Sequence, residues 1–123
     1  MLEDCRVLVA EDEYFLATHT ARLLESAGAI VVGPISSLTA LREQVSAKSF
    51  DAALLDIRLD QDLIFPIADM LLQAGIPLAF LTGYDREVVP ERFASVPICQ
   101  KPCGDEVIVR MVAALCDSGG HED

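Results

Sequence analysis

Hydrophobic residues in this chain gather into five short continuous runs: Val7-Leu8-Val9-Ala10, Ile30-Val31-Val32, Ala52-Ala53-Leu54-Leu55, Leu78-Ala79-Phe80-Leu81, and Val96 to Cys99. Unbroken apolar runs of this length predict strands covered on both faces, since a half-exposed strand would alternate apolar and polar positions. Helical periodicity fills the gaps. Leu16, Thr20, Leu23, Leu24 and Ala27 fall on one helical face before Gly28. Leu38, Leu41 and Val45 repeat the pattern after the cap candidates Ser36-Ser37. Pro66 opens a third helix with Ile67, Met70, Leu71 and Ala74 on one face and Gly75 at its end, and Ile108, Met111, Val112 and Leu115 mark the last. Strand and helix alternate throughout, which predicts one doubly wound, five-stranded parallel α/β sheet with right-handed crossovers.

The weakest element lies between Thr82 and Val96, where Val89-Pro90 falls in the middle. A proline opens a helix readily but breaks a longer one, so the fourth helix is expected to be short or irregular. The chain shows neither an internal repeat nor a linker. It is expected to fold as one domain over residues 1–118 with a flexible polar tail at 119–123.

Composition narrows the function. Hydrophobic residues make up 52% of the chain, which excludes general disorder. No apolar stretch approaches the roughly 20 residues of a spanning helix. The start, Met1-Leu2-Glu3-Asp4-Cys5-Arg6, lacks the basic and apolar regions of a signal peptide, so a cytoplasmic location is expected. Nine basic side chains face twenty acidic ones for a net charge of −11, a balance that disfavours nucleic acid and anionic membranes as partners. Cys5, Cys99, Cys103 and Cys116 form no CxxC pair, and reduced, buried thiols are expected rather than a metal knuckle.

Polar residues of four kinds stand where apolar runs stop: Glu11-Asp12, Asp56, Thr82, and Lys101-Pro102. In a parallel sheet these stops share one edge, so the side chains should converge there. Two carboxylates about 4 Å apart repel by roughly 4 kcal/mol at an effective dielectric of 20, and a third adds to this. Such a cluster either protonates or recruits a cation, and an all-oxygen ligand set favours Mg²⁺ or Mn²⁺. Lys101 then supplies an ammonium for a phosphoryl group, or pairs with Asp56 in its absence, and Thr82 supplies a hydroxyl donor. Taken singly each residue has an ordinary role: solvated acids at loop starts, a threonine capping a strand end, a surface lysine before a turn proline. Together they describe an aspartate that accepts phosphate with metal and lysine neutralising the transferred charge. His19 and His121 look incidental.

The motifs Val-Leu-Val-Ala-Glu11-Asp12-Glu13, Leu-Leu-Asp56-Ile-Arg-Leu, Phe-Leu-Thr82-Gly83-Tyr84 and Gln-Lys101-Pro102 resemble those of the receiver domain of bacterial two-component response regulators, from about Cys5 to Cys116. The resemblance implies a flavodoxin-like (βα)5 fold. It also implies Asp56 as the phosphoacceptor, served by a sensor histidine kinase or a small phosphodonor. Mg²⁺ would bind Asp12, Asp56 and the Arg58 backbone carbonyl directly, with Glu11 acting mainly through water. Thr82 and Lys101 would hold the phosphoryl oxygens, and the Lys101-Pro102 bond would be cis.

Two departures stand out. Ile98 occupies the place of the usual aromatic switch residue, and Asp60 stands where a proline commonly follows the phosphoacceptor. With Gly75-Ile-Pro77 and Phe80-Leu-Thr82-Gly83-Tyr84, these resemble the FAT GUY receivers, often stand-alone proteins working with HWE-type kinases. Switching is then expected in Thr82-Gly83-Tyr84 and the segment up to Phe93, with Arg58 and Tyr84 flanking the path of hydrolytic water. No output domain fits, so signalling is expected through another protein, or as a phosphate sink or shuttle. Ile98, Cys99 and Cys103, near the fifth strand and last helix, form the contact face that the family analogy suggests.

Three other readings are weaker. A receiver-like interaction module that is never phosphorylated would lack metal-dependent transfer to Asp56. A haloacid-dehalogenase-type phosphatase needs a DxD after the first strand, where this chain has Glu11-Asp12-Glu13. A flavodoxin-like cofactor binder is disfavoured because those same acids would repel a cofactor phosphate.

Overall fold

The computed structural model describes residues 1–47 and 49–119. The strands in chain order are β1 (Arg6–Ala10), β2 (Ile30–Ile35), β3 (Ala52–Leu55), β4 (Arg58–Leu59), β5 (Asp62–Leu63), β6 (Leu78–Thr82) and β7 (Ile98–Gln100). Five of them form a parallel sheet in the order β2-β1-β3-β6-β7, while β4 and β5 pair only with each other. The helices are α1 (Tyr14–Ser26), α2 (Leu38–Ala47), α3 (Phe65–Gln73) and α4 (Asp105–Gly119). This is the doubly wound flavodoxin-like fold expected from the chain. The segment after β6 holds two 3₁₀ turns, Arg86–Val88 and Glu91–Phe93, in place of a fourth regular helix. Residues 120–123, and with them most of the expected tail and His121, lie outside the described residues.

Alternation along the three central strands separates two apolar layers. Leu8, Ala10, Ala53, Leu55, Leu78 and Phe80 join Leu41, Val45, Ile67, Ala68 and Leu71 on one side. Val7, Val9, Ala52, Leu54, Ala79 and Leu81 join Leu24, Ile108, Val112 and Leu115 on the other. Both layers exclude water, so β1, β3 and β6 read as continuous runs. Phe65, Phe80 and Phe93 pack with ring centroids 5.6 to 6.1 Å apart, anchoring the irregular segment to the sheet.

Some expectations shift. The buried face of α1 is centred on Ala17, Thr20, Ala21 and Leu24, leaving Leu16 and Leu23 only partly covered. On α3, Ala68 is buried and Ala74 is exposed. Small residues sit where a helix lies close to the sheet, while long apolar side chains reach inward from its flanks. The edge strands β2 and β7 are not covered on both faces: Ile30 is 44% exposed, and Ile98 and Cys99 are only partly buried. β2 bends at Gly33-Pro34, where the pairing register with β1 shifts. A Cβ at Gly33, with φ 113°, would lie 2.8 Å from the Val9 carbonyl oxygen, so glycine is required there.

The expected reduced thiols are corrected. Cys5 is bonded to Cys116, with Cα atoms 6.1 Å apart, and Cys99 to Cys103, with Cα atoms 6.2 Å apart. The first pair joins the entrance of β1 to the end of α4 across a sequence separation of 111, beyond the reach of any local motif. The second spans the turn that carries Lys101-Pro102, whose peptide bond is cis as the resemblance implied.

Candidate functional site

The sheet delivers its polar residues to one edge through backbone pairing. Glu11 N–H donates to the Ile35 carbonyl at 3.0 Å, Asp56 N–H to Ala10 at 2.9 Å, and Lys101 N–H to Thr82 at 2.7 Å. Each residue thus begins its loop while still tied to a neighbouring strand. Glu13 serves the helix instead, its carboxylate accepting from Leu16 N–H at 2.9 Å and capping α1.

Glu11, Asp12 and Asp56 bring one carboxylate oxygen each to within 4.8 Å of one another. Lys101 enters between two of them: its Nζ donates to Glu11 Oε1 at 2.9 Å and to Asp56 Oδ2 at 2.8 Å. Glu11 is 5% exposed and Asp56 8%, so these ion pairs are poorly screened. Burial pushes the Glu11 carboxyl above its ordinary range, beyond what the Lys101 hydrogen bond opposes. Burial also works against the Lys101 ammonium, but its hydrogen bonds to Asp56 and Glu11 together outweigh it and raise the pKa. The remaining Asp56 oxygen, Oδ1, accepts a long 3.5 Å contact from Arg58 N–H.

A hairpin that the apolar pattern does not announce frames the site. β4 and β5 pair antiparallel around Asp60, which adopts φ 56°. Asp60 N–H donates to the Asp12 carboxylate, linking the hairpin to the acid cluster. Arg58 projects outward, its Nη1 donating to the Tyr84 hydroxyl at 3.0 Å.

Thr82 is fully buried at the end of β6, with Oγ1 accepting from Tyr84 N–H at 3.3 Å. That bond uses an acceptor lone pair and leaves the hydroxyl proton available. Gly83 accepts through its carbonyl from the Gln100 side chain at 3.3 Å. Ile98 packs against the apolar layer with Phe80 and Phe93, away from the acids. Helical periodicity marks Thr20 only as a position on the inner face of α1. Its buried hydroxyl has no hydrogen-bond partner among the described residues and lines a cavity of about 10 Å³ with Glu11 and Asp56. The polar interruption of an apolar helix face was the available signal.

Three all-oxygen acids beside a lysine suit a hard divalent cation. The donor set therefore fits Mg²⁺ or Mn²⁺ better than a thiophilic metal, all four cysteines being bonded to one another.

No family model matches the chain, and no curated protein matches it by sequence. Solved structures do. A response regulator receiver protein from Sinorhizobium medicae WSM419 aligns with TM-score 0.81 at 23% identity, covering 96% of this chain and 98% of that one. The response regulatory domain of mrkE from Klebsiella pneumoniae gives 0.82 at 18% identity, covering 95% and 99%. At these identities the likeness shows the fold. SdrG from Pseudomonas melonis Fr1, in its BeF3-activated conformation, is 30% identical over 94% of this chain and 98% of its own, with TM-score 0.75. The chain belongs to the response regulator receiver family. This receiver has its acid cluster at the C-terminal edge of the sheet, and among its described residues no helix is long and apolar enough to cross a membrane.

Proposed function

We propose that this receiver accepts a phosphoryl group on Asp56 from a phosphohistidine of a sensor histidine kinase, or from a small acyl phosphate. The observation that carries this reading is the Lys101 ammonium lying between Glu11 and Asp56, inside the three-acid cluster. An Asp56 oxygen attacks phosphorus as the donor's P–N or P–O bond breaks, and the bonding electron pair leaves with the imidazole or, from an acyl phosphate, with the carboxylate. Glu11, Asp12, Asp56 and the Arg58 carbonyl would hold the cation. Mg²⁺ or Mn²⁺, when bound, supplies charge neutralisation for the phosphoryl oxygens and the gathered acids. Lys101 exchanges its Asp56 contact for a phosphoryl oxygen, and Thr82 turns its hydroxyl proton toward another.

Tyr14 and Phe15, 71% and 78% exposed at the start of α1, give a partner apolar surface next to the acids. We assign the chain to the FAT GUY subgroup on its Phe80-Leu-Thr82-Gly83-Tyr84 motif and Ile98, with an HWE-type kinase as donor and a cytoplasmic setting. Residues 1–118 form the receiver. It signals through altered protein contacts or relays phosphate as a shuttle or sink. Phosphorylation reorganises Thr82-Gly83-Tyr84 and the 3₁₀ segment, where Ile98 leaves no aromatic ring to rotate.

Intact-protein mass after incubation with acetyl phosphate and Mg²⁺ tests the reading. One added phosphoryl is expected on wild type with metal, and none on Asp56→Asn or without metal. If wild type gains nothing from acetyl phosphate or from phosphorylated kinases, it is an interaction module that is never phosphorylated.

A further inference from the structure

Two of the four cysteines bracket the lysine on which the phosphoryl-transfer reading depends. Cys99 lies on β7 opposite Leu81, and Cys103 stands directly before Gly104, whose carbonyl accepts from Ile108 N–H in the first turn of α4. The bond between them closes a small ring with Lys101 at its centre. Both sulfurs belong to partly exposed residues, as does that of Cys116, whereas Cys5 is 8% exposed. Of the two pairs, Cys99–Cys103 is therefore the one in which neither cysteine is fully buried.

We propose that Cys99 and Cys103 form a thiol–disulfide exchange site for low-molecular-weight disulfides, and that its closure fixes Lys101 against Asp56. Lys101 is held at three points: its N–H donates to Thr82 at 2.7 Å, and its Nζ donates to Glu11 at 2.9 Å and Asp56 at 2.8 Å. The ring adds a covalent tether between β7 and the approach to α4. Opening it leaves the backbone on the C-terminal side of Lys101 free to move. Correct placement of one charged group governs a transfer step strongly. In reducing surroundings the pair is open, and such disulfides outside oxidising compartments are typically transient and sensing.

The chemistry balances. One protein thiolate attacks a sulfur of R–S–S–R, forming a mixed disulfide and releasing R–S⁻. The second thiolate attacks the protein sulfur of that intermediate and releases another R–S⁻. Two S–H bonds are lost from the protein, the electron pair passes to the small disulfide, and both protons end on the two released thiols.

The inference rests on the phosphoacceptor reading, and its test separates the two. Cys5→Ala/Cys116→Ala protein, which keeps only the bracketing pair, is equilibrated in oxidised glutathione or in dithiothreitol. Three quantities are followed: alkylatable thiols by intact mass, Lys101 backbone and side-chain NMR shifts, and phosphorylation by acetyl phosphate with Mg²⁺. Oxidation is expected to remove both thiols without retained glutathione, to shift Lys101, and to speed phosphorylation roughly three- to tenfold over the reduced form. Cys99→Ser/Cys103→Ser should show none of these responses. Retained glutathione without ring closure would overturn the proposal, as would unchanged Lys101 shifts or equal rates in both states. If neither state takes phosphate from acetyl phosphate or from phosphorylated kinases, the phosphoacceptor reading fails, and Lys101 shifts alone decide whether the ring controls the lysine. Should the alanine pair not fold, the same comparison is made on wild type with peptide mapping of each disulfide.

Discussion

The Arg58 guanidinium donates a 3.0 Å hydrogen bond to the Tyr84 hydroxyl, joining the residue two beyond Asp56 to the residue two beyond Thr82. The link crosses from the β4–β5 hairpin to the loop after β6. It brings together, in one contact, the two side chains expected to flank the approach of hydrolytic water. Arg58→Ala and Tyr84→Ala are each expected to shorten the phosphorylated state about threefold, the worth of one weak hydrogen bond. Because both remove the same contact, the double variant should lose little more than the worse single one. Decay of phosphoprotein, followed by intact mass, measures all three lifetimes; unchanged or longer lifetimes would refute shielding.

Divalent cation should stabilise the folded chain by relieving repulsion among Glu11, Asp12 and Asp56. At a concentration one hundred times its dissociation constant, Mg²⁺ adds about 2.7 kcal/mol. Asp12→Asn keeps an acceptor for Asp60 N–H but removes one charge from the cluster. In chelator this variant should be more stable than wild type by about 1 kcal/mol, and most of its Mg²⁺ response should vanish. Urea melts with and without metal give both quantities, and an equal metal response in the two proteins would place the cation elsewhere.

Arg86 organises the irregular segment. Its Nη1 donates to the Phe93 carbonyl at 3.2 Å, and its Nη2 to the Val96 carbonyl at 2.7 Å. Arg86→Ala should cost about 1.5–3 kcal/mol, and Arg86→Lys should recover only part because an ammonium lacks the planar fork. Amide exchange ought to accelerate across residues 84–97 while the central strands remain protected. The same segment should carry the backbone relaxation changes between free and beryllofluoride-bound protein. Changes spread evenly over the chain would count against a local switch.

Thr20 offers a test with the opposite sign. Its hydroxyl is buried without a partner among the described residues, so Thr20→Val should raise stability by about 1 kcal/mol. Thr20→Ala should lower it by enlarging the adjacent cavity. A loss in the valine variant as well would show that the hydroxyl bonds to a group beside Glu11 and Asp56.

The strand ends carrying Glu11, Asp12, Asp56, Thr82 and Lys101 were legible because parallel topology converts chain position into spatial position. Pro90 likewise announced that no long regular helix follows β6. Several partnerships were not legible. Lys101 with Glu11, Asp60 with Asp12, and Cys5 with Cys116 each join residues far apart in sequence, with no local pattern to signal them. The hairpin around Asp60 was hidden for another reason: its strands are two residues long, too short for a strand pattern, and the left-handed turn uses an aspartate with no glycine. On α1, Ala17 and Ala21 are buried, yet contribute less to an apolar pattern than Leu16 and Leu23, which are only partly covered.

The bend in β2 has a consequence for neighbours in solution. β2 is the outermost strand on its side, and an unpaired strand edge invites another chain to add on. Pro34 has no N–H to offer a ladder, and Gly33 just before it departs from extended geometry. A second strand docking there would meet a missing donor and a kink where it needs a straight ladder. The β2 edge thus carries its own guard against extending the sheet on that side.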